Sequence, residues 1–342
     1  MDAFQRKPLG KTTLALPVLG LGGAALGNIF DAISEAQAEA TMDAAWRAGI
    51  RYYDTSPWYG RGLSERRMGS YLLHQPADQR IISTKVGRLF TAPADPAAFA
   101  RSERSWDKGL HFEHHHDYSY DALMRSYEDS LQRLGVNRVD ALLIHDLDLG
   151  GVGTEERVDF HLRELENSGF RALQELKSAG LIKAIGAGVN RTGTILPFLE
   201  RFDLDFFLVA TPYTLVEQSV LDAEFPRCEA RGVGIVIGAV FATGILATGA
   251  IPGARYNYRP ATAEQLDRVR RMGAVCARYH VPLASAALQF PLHHPLVASV
   301  IPGAFHPDQV TENVKTMQVD IPDELWHELK AERLLRADAP TP

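Results

Sequence analysis

What is scarce in this chain narrows its class before any motif is read. Cysteine occurs only as Cys228 and Cys276, too few for a disulfide framework and outside any Cys-x-x-Cys pattern. Two reduced, packed thiols are the simplest expectation, in keeping with a cytoplasmic protein. Long apolar runs are missing: no window approaches the roughly eighteen residues of a membrane span. The opening MDAFQRKPLGKTTLALPVLG also lacks the apolar region of a signal peptide, so no membrane partner is expected. A basic excess is absent too. With 36 Lys and Arg against 42 Asp and Glu the formal charge is −6, which offers a nucleic-acid backbone no positive field. The chain lacks Gly-x-Gly-x-x-Gly opening a helix after its first strand; Gly20-Leu21-Gly22-Gly23 comes near but runs on into AALGNIF. Low-complexity tracts and linkers are lacking as well. A small-molecule partner fits what is left.

What is present is a globular composition, 46% hydrophobic and 23% charged, arranged as an alternation. Ser34 to Gly49 reads as a helix with Ala38, Thr41, Ala45 and Ala48 on one face. Short apolar runs at 18–20, 50–53, 80–84, 139–144, 183–187, 205–209, 233–237 and 297–301 read as strands, most of them preceded by a helical segment ending in a Gly-containing turn. Strands and helices alternating at this spacing imply right-handed βαβ units and a parallel sheet. Eight of them give an α/β fold, a single (β/α)8 TIM barrel spanning 1–342 as one domain. A doubly wound open sheet is the competing arrangement. The segment KPLGKTTLALPVLG reads as an N-terminal β-hairpin that plugs the bottom. Irregular stretches at 88–118, 146–163 and 241–261 all follow strand ends, so they stand as long loops at the C-terminal face, where barrels bind substrates.

In such a barrel, polar residues at the ends of successive strands converge on one mouth. Asp54 follows the second strand in YYDTSPWYG, with Tyr59 on the next turn; Lys85 ends the third in IISTKVG, and His145 the fourth in ALLIHDLD. A tyrosine titrates near pH 10 in water and is a poor base alone. A nearby lysine ammonium favours the phenolate, an aspartate keeps that lysine charged and aimed, and a histidine can donate to a substrate oxygen. Proton exchange at a hydroxyl or carbonyl oxygen accompanies hydride transfer with a nicotinamide. The quartet therefore points to an alcohol/carbonyl oxidoreductase. Each member has a plainer reading: Asp54 as a turn residue, Lys85 as a strand end, His145 as a core histidine. Trp58 and Trp106 are either packing aromatics or pocket walls. Asp146 and Asp148 read as loop polars or contacts to substrate hydroxyls. The run HFEHHHD, His111 to Asp117, invites a metal reading, but no further ligands match it and no metal is expected; a flexible histidine-rich loop is the plainer account.

YYDTSPWYG, STKVG, RVDALLIHDLD, KAIGAGVN and SVIPGAFHPDQVTENV, in this order, resemble the aldo-keto reductases over nearly the whole chain. The resemblance implies that family's barrel and a catalytic tetrad of Asp54, Tyr59, Lys85 and His145. The stretch DYSYDALMRSYEDSLQRLGVNRVDALLIHDLD, with GAGVN, resembles the aldose 1-dehydrogenase branch, which includes L-fucose dehydrogenases and is similar to pyridoxal 4-dehydrogenase. It implies oxidation of an aldose at C1, with Tyr59 as base; Trp58, Trp106 and Asp146, which fall in segments at the expected mouth, are the candidate substrate contacts. A pyridoxal 4-dehydrogenase, an NADPH-dependent aldehyde or ketone reductase, a metal-assisted hydrolase and a nucleotide-sensing subunit are the alternatives. For the cofactor, Pro307 reads as the first residue of a helix whose free N–H groups face a phosphate. By resemblance Gly303, Ala304, Gln309 and Asn313 face the dinucleotide there, Asn190 takes the carboxamide, and Phe241, Thr243 and Gly244 cover the pyrophosphate. Relatives that prefer NADP carry Arg or Lys in this segment; here Gly303, Phe305 and Gln309 stand instead, Asp308 adds the opposite sign, and His306 is the one positive candidate. NAD is expected over NADP. Two departures are plain: Gly238 or Ala239 replaces an aromatic after the seventh strand, and Ala210 replaces a glutamine after the sixth.

Overall fold

A computed structural model describes residues 1–101, 106 and 108–342. The chain begins with a hairpin of β1 (Arg6–Pro8) and β2 (Ala15–Pro17), then β3 (Leu21–Gly22), α1 (Glu35–Arg47), β4 (Tyr52–Asp54), α2 (Leu63–Leu72) and β5 (Ile81–Val86). An excursion follows, of β6 (Arg88–Thr91), α3 (Pro96–Arg101) and β7 (Glu113–His116), before α4 (Tyr120–Leu134) and β8 (Ala141–His145). Next come α5 (Leu149–Val152), α6 (Glu155–Glu164), α7 (Phe170–Ser178), β9 (Ala184–Val189), α8 (Ile195–Arg201), β10 (Phe206–Ala210), α9 (Glu224–Arg231) and β11 (Gly234–Gly238). The last part holds α10 (Ile245–Thr248), β12 (Arg255–Tyr256), β13 (Arg259–Pro260), α11 (Ala263–Arg278), α12 (Leu283–Gln289), β14 (Val297–Val300), α13 (Pro307–Gln318) and α14 (Asp323–Ala331).

Local chemistry starts and stops these helices. Ser34 caps α1 by accepting from the Gln37 N–H, and the helix buries Ala38, Thr41, Met42 and Ala45, three or four residues apart. Ser119 caps α4, which ends at Gly135 in the left-handed region. Thr262 and Gln265 form a reciprocal capping box on α11.

Eight parallel strands run in the order β3, β4, β5, β8, β9, β10, β11, β14. The circle closes between the ends: the Val300 N–H donates to Val18 O at 2.8 Å, and the Gly20 N–H donates to Val300 O at 2.9 Å. The fold is the expected (β/α)8 barrel. Strand side chains alternate between two cores. Outward residues such as Tyr53, Ile82, Leu142 and Ile185 pack under the helices. Inward residues Tyr52, Ile81, Ala141, Leu143, Phe206 and Leu208 fill the barrel together with Leu9, Leu14 and Leu16 of the hairpin. The hairpin therefore plugs the bottom, as expected. Gly10 at its turn has φ +52°, and a Cβ there would stand 2.6 Å from Asp205 O and 2.7 Å from Gly234 N.

The first strand differs from expectation: regular pairing falls at Leu21–Gly22, with Leu19 making only an isolated bridge to Val300. The three long stretches at the mouth are also less irregular than expected. Within 88–118, β6 and β7 form an antiparallel ribbon that pairs Arg88 with His116 and Phe90 with His114; residues 102–105 and 107 of that stretch lie outside the described residues. The histidine run is thus strand, not loose loop. Stretch 146–163 holds α5 and most of α6, and 241–261 holds α10 and the pair β12–β13. Among the described residues no helix is long and apolar enough to cross a membrane.

Candidate active site

Alternation places the candidate groups. Asp54 lies two residues beyond inward Tyr52, Lys85 four beyond inward Ile81, and His145 two beyond inward Leu143, so all three point into the barrel at its C-terminal end. Gly188 of β9 stands beside them, where a Cβ would lie 3.6 Å from the His145 ring and 3.7 Å from Lys85 Cε. A methyl group there would touch both side chains at ordinary contact distance, so β9 lies directly against the pair.

Lys85 Nζ donates to Asp54 Oδ2 at 2.7 Å and to the Thr55 carbonyl at 2.7 Å, and Ser83 Oγ donates to Asp54 Oδ1 at 2.7 Å. Both partners of the ion pair are about 1% exposed. Burial lifts the Asp54 carboxyl above its ordinary range, against the pull of Lys85 and Ser83. Tyr59 sits on the turn after β4, partly accessible, with its ring 4.6 Å from Lys85 Nζ and edge-on to His145 at 5.8 Å. Burial, then the carboxylates of Asp54 and Asp146 and the Tyr258 hydroxyl, push its phenol well above 10, with Arg88 opposing. Lys85 lies against the Tyr59 ring and directs two of its three N–H groups to Asp54 and Thr55, so the contact expected to favour the phenolate is made to the ring. His145 is pushed well below 6.5 by burial and by Lys85, Arg88 and His116, so its ring is neutral. Its Nδ1 is 2.9 Å from Ser56 Oγ, and its Nε2 is 3.4 Å from Asp146 Oδ2.

Other candidates stand close by, in company that was not foreseen. Trp106 packs 5.6 Å from Tyr59. Trp58 already has partners, with His114 at 4.3 Å and the Arg88 guanidinium at 4.2 Å from its ring. Asp146 has both oxygens engaged: Oδ2 accepts from Arg88 at 3.0 Å and Oδ1 from Asn190 Nδ2 at 2.7 Å. Asn190 O in turn accepts from Thr211 Oγ1 at 2.7 Å. A carboxylate fastened this way acts as a bracket between β8 and β9 rather than as a free substrate contact. Asp148 caps α5 through the Gly151 N–H, so it is a loop-building residue. Beside the ribbon, a groove of about 560 Å³ is lined by His114, His116, Arg157, Phe160 and His161. Among the described residues no three His, Cys, Asp or Glu side chains converge as metal ligands.

Phe241, Gln309 and Asn313 line one cavity of about 490 Å³ between the loop after β11 and helices α11 to α13. Pro307 is the first residue of α13, as expected, but the N–H groups there are not free. Phe305 and His306 donate to Gln309 Oε1, and the Asp308 N–H donates to His306 Nδ1. Gln309 is thus the helix's own cap. Gly244 has φ +105° with open space around its Cβ position, and Gly303 is exposed, so this side of the mouth has a bare backbone that a phosphate can approach. Thr243 accepts from the Tyr258 N–H, and Ala304 is buried. The cavity and this backbone suit a dinucleotide. The same cavity is lined by Arg270 and Glu312, one charge of each sign. Arg270 escaped the sequence reading because α11 lies far along the chain from 303–313. Ser56, within the quoted motif, and Arg88, three residues after Lys85, were legible as polar residues near the mouth but gave no sign of their partners.

An eight-stranded parallel barrel with ionisable groups gathered at its C-terminal mouth is the frame of an enzyme active site. The chain belongs to the aldo/keto reductase family, whose description matches residues 18–332. It is 43% identical to a pyridoxal 4-dehydrogenase of Microbacterium luteolum over 98% of this chain and 99% of that one. It is 38% identical to a D-threo-aldose 1-dehydrogenase of a Pseudomonas species, over 96% of each. Among solved structures, the holo form of an aldo-keto reductase from Bacillus halodurans superposes with a TM-score of 0.74 at 25% identity, over 98% of each chain. The protein is therefore an enzyme of the nicotinamide-dependent aldo-keto reductase type, acting on a small molecule.

Proposed function

We propose that this enzyme is an NAD-preferring dehydrogenase that oxidises a cyclic hemiacetal to a lactone, using Tyr59 as the group that exchanges the proton. The observation that carries the reading is the convergence of Tyr59, Lys85, Asp54 and His145 at one mouth. The two dehydrogenase relatives narrow the substrate. An aldose and pyridoxal share one feature, an internal hydroxyl that can close onto the aldehyde as a hemiacetal. In the proposed step Tyr59 acts as the phenolate, having given up its phenol proton beforehand: it takes the anomeric O–H proton and returns to the phenol as the C–H electron pair leaves as hydride and the lactone carbonyl forms. A bound oxidised nicotinamide would supply the hydride acceptor and a positive charge that favours the phenolate. His145, neutral and carrying its proton on Nε2, orients the substrate oxygen; Lys85 keeps positive charge under the Tyr59 ring; Asp54 holds Lys85 there.

Asn190 is proposed to meet the carboxamide while Asp146 fixes its amide, with Phe241, Thr243, Gly244, Gly303, Ala304, Gln309 and Asn313 along the rest of the dinucleotide. NAD preference is supported by Glu312 in the adenosine-sized cavity and by the absence of Lys or Arg from 303–313. Arg270 in the same cavity favours the second reading, an enzyme working with NADP(H). Trp106 is proposed as a wall of the substrate pocket. We also propose that 1–342 works as one domain in the cytoplasm, in line with a core that runs from Ala3 to Ala339 and two buried free thiols.

The test is NADH formation with NAD or NADP and a panel of L-fucose, D-arabinose, L-galactose, pyridoxal and simple alcohols. Oxidation of an aldose or pyridoxal, faster with NAD, is expected. The Tyr59→Phe variant should lose about 10²–10⁴ in kcat with little change in NAD binding. Silence across the panel by protein that binds NAD would sink the dehydrogenase reading, and a clear NADP preference would sink the cofactor assignment.

A further inference from the structure

His145 is hydrogen-bonded at Nδ1 and faces the Asp146 carboxylate at Nε2, and its tautomer can be read from its neighbours' protons. Ser56 Oγ already accepts from the Trp58 N–H at 3.0 Å. The hydroxyl has one proton of its own, and Ser56 is fully buried. If His145 Nδ1 carried a proton and donated to Ser56, the serine proton would have no acceptor among the described residues. A bare Nε2 would also face the Asp146 carboxylate at 3.4 Å, lone pair against negative charge. If Ser56 donates to Nδ1, the serine proton has its acceptor and Nε2–H faces the Asp146 carboxylate and the mouth, where it is left to donate to a substrate oxygen.

We propose that Ser56 is a positioning residue that commits His145 to the Nε2–H form and aims that donor at the substrate oxygen. The proposal rests on the reading of His145 as the donor to substrate. By connectivity Ser56, His145 and Asp146 resemble a serine hydrolase triad, but the serine hydroxyl is closed off from any substrate and hydrogen-bonded by the Trp58 backbone, so it cannot serve as a nucleophile. The groups facing the ring are Lys85 and Arg88 from the β5–β6 region, His116 from β7, Asp146 after β8 and Tyr59 after β4. The Tyr118 hydroxyl, donating to His145 O at 2.8 Å, fixes the backbone beneath it. None of these reaches Nδ1, which leaves that nitrogen to Ser56.

The experiment is two-bond ¹H–¹⁵N NMR of the histidine side chains of the full-length protein, with His145→Asn as the assignment control and Ser56→Ala and Ser56→Thr as variants. His145 is expected to show a protonated Nε2 and a hydrogen-bonded, unprotonated Nδ1. Ser56→Ala should move the Nδ1 resonance toward that of a free imine nitrogen and lower kcat/KM about tenfold, the size of one orienting hydrogen bond, while Ser56→Thr restores both. A proton found on Nδ1 in the parent protein overturns the proposal, as does a Ser56→Ala variant whose Nδ1 shift and kcat/KM are unchanged. The expected spectra from a protein that turns over no substrate would keep the assignment of the serine and reject the dehydrogenase reading instead.

Discussion

Lys85 meets Asp54 at 2.7 Å with both side chains closed off from solvent, and that burial governs what a substitution there does. Taking away the lysine charge leaves a carboxylate with only Ser83 Oγ to answer it, in a place where an unpaired ion is costly. Lys85→Met should therefore destabilise the fold by about 3–5 kcal/mol at neutral pH. The sign with pH follows from the carboxyl. Asp54 already binds a proton more readily in the fold than in the unfolded chain, and more so without Lys85. The penalty is full above the folded value and shrinks as the pH falls through it. Urea unfolding at pH 7 and pH 5 should show a smaller deficit at pH 5; equal deficits would mean that lost packing, not stranded charge, is what the variant feels. The same logic of prior engagement revises Asp146 and Trp58. A residue tied to Arg88 and Asn190, or stacked between His114 and Arg88, shapes the pocket through those neighbours.

The strands of the barrel were legible where apolar residues formed uninterrupted runs, as in ALLIH and FFLVA, because a strand covered on both faces needs little else. The first strand falls later than expected because VLGLGG is half glycine and gives no bulky run to mark where pairing starts, so its register is decided by where β14 and β4 lie. The ribbon β6–β7 escaped for a related reason: its histidines are poor strand formers whose pairing comes from contacts about 25 residues away. The candidate residues Asp54, Tyr59, Lys85 and His145 were visible because each ends or follows a recognisable run. The engagements of Ser56 with His145 and of Arg88 with Asp146, and the place of Arg270 in the second cavity, were not, since hydrogen-bond partners and cavity neighbours are products of the tertiary fold. At the bottom, the plug can be tested as an element. Gly10 combines a left-handed φ with backbone of β10 and β11 inside 3 Å of any Cβ, so Gly10→Ala should cost about 1–3 kcal/mol from strain and displacement of the hairpin. Activity per folded molecule should be retained, because the plug lies at the opposite end of the barrel from Tyr59. A variant of parent stability would show that the hairpin does not seat as described.

Across the whole molecule, histidine is the residue whose burial couples the fold to pH. His114 is pushed down to about 4, His116 to about 3, and His293 and His294 to about 4, in each case by burial first. His145 goes well below 6.5 for the same reason. Each is neutral in the fold but takes a proton near pH 6.5 once unfolded. The unfolded chain thus binds more protons throughout the window between those values, and stability falls as the pH drops through it. For buried His145 and His294 the ceiling is about 1.4 kcal/mol per pH unit each; His114, His116 and His293, partly reached by solvent, contribute less. Asp54, Asp148 and Glu224 oppose the trend, since burial raises all three and the fold gains on them as the pH falls. The histidine window opens first on the way down from neutrality, so denaturant unfolding should show a loss of a few kcal/mol between pH 7 and pH 5. The histidines lie in two groups, at the mouth and beside the hairpin, where Lys7 faces His293. His293→Gln with His294→Gln should therefore flatten the slope in part, leaving the share that belongs to His114, His116 and His145. A flat parent profile, or an unchanged slope in the double variant, would mean that these rings are solvated enough in the fold to titrate as they do in the unfolded chain.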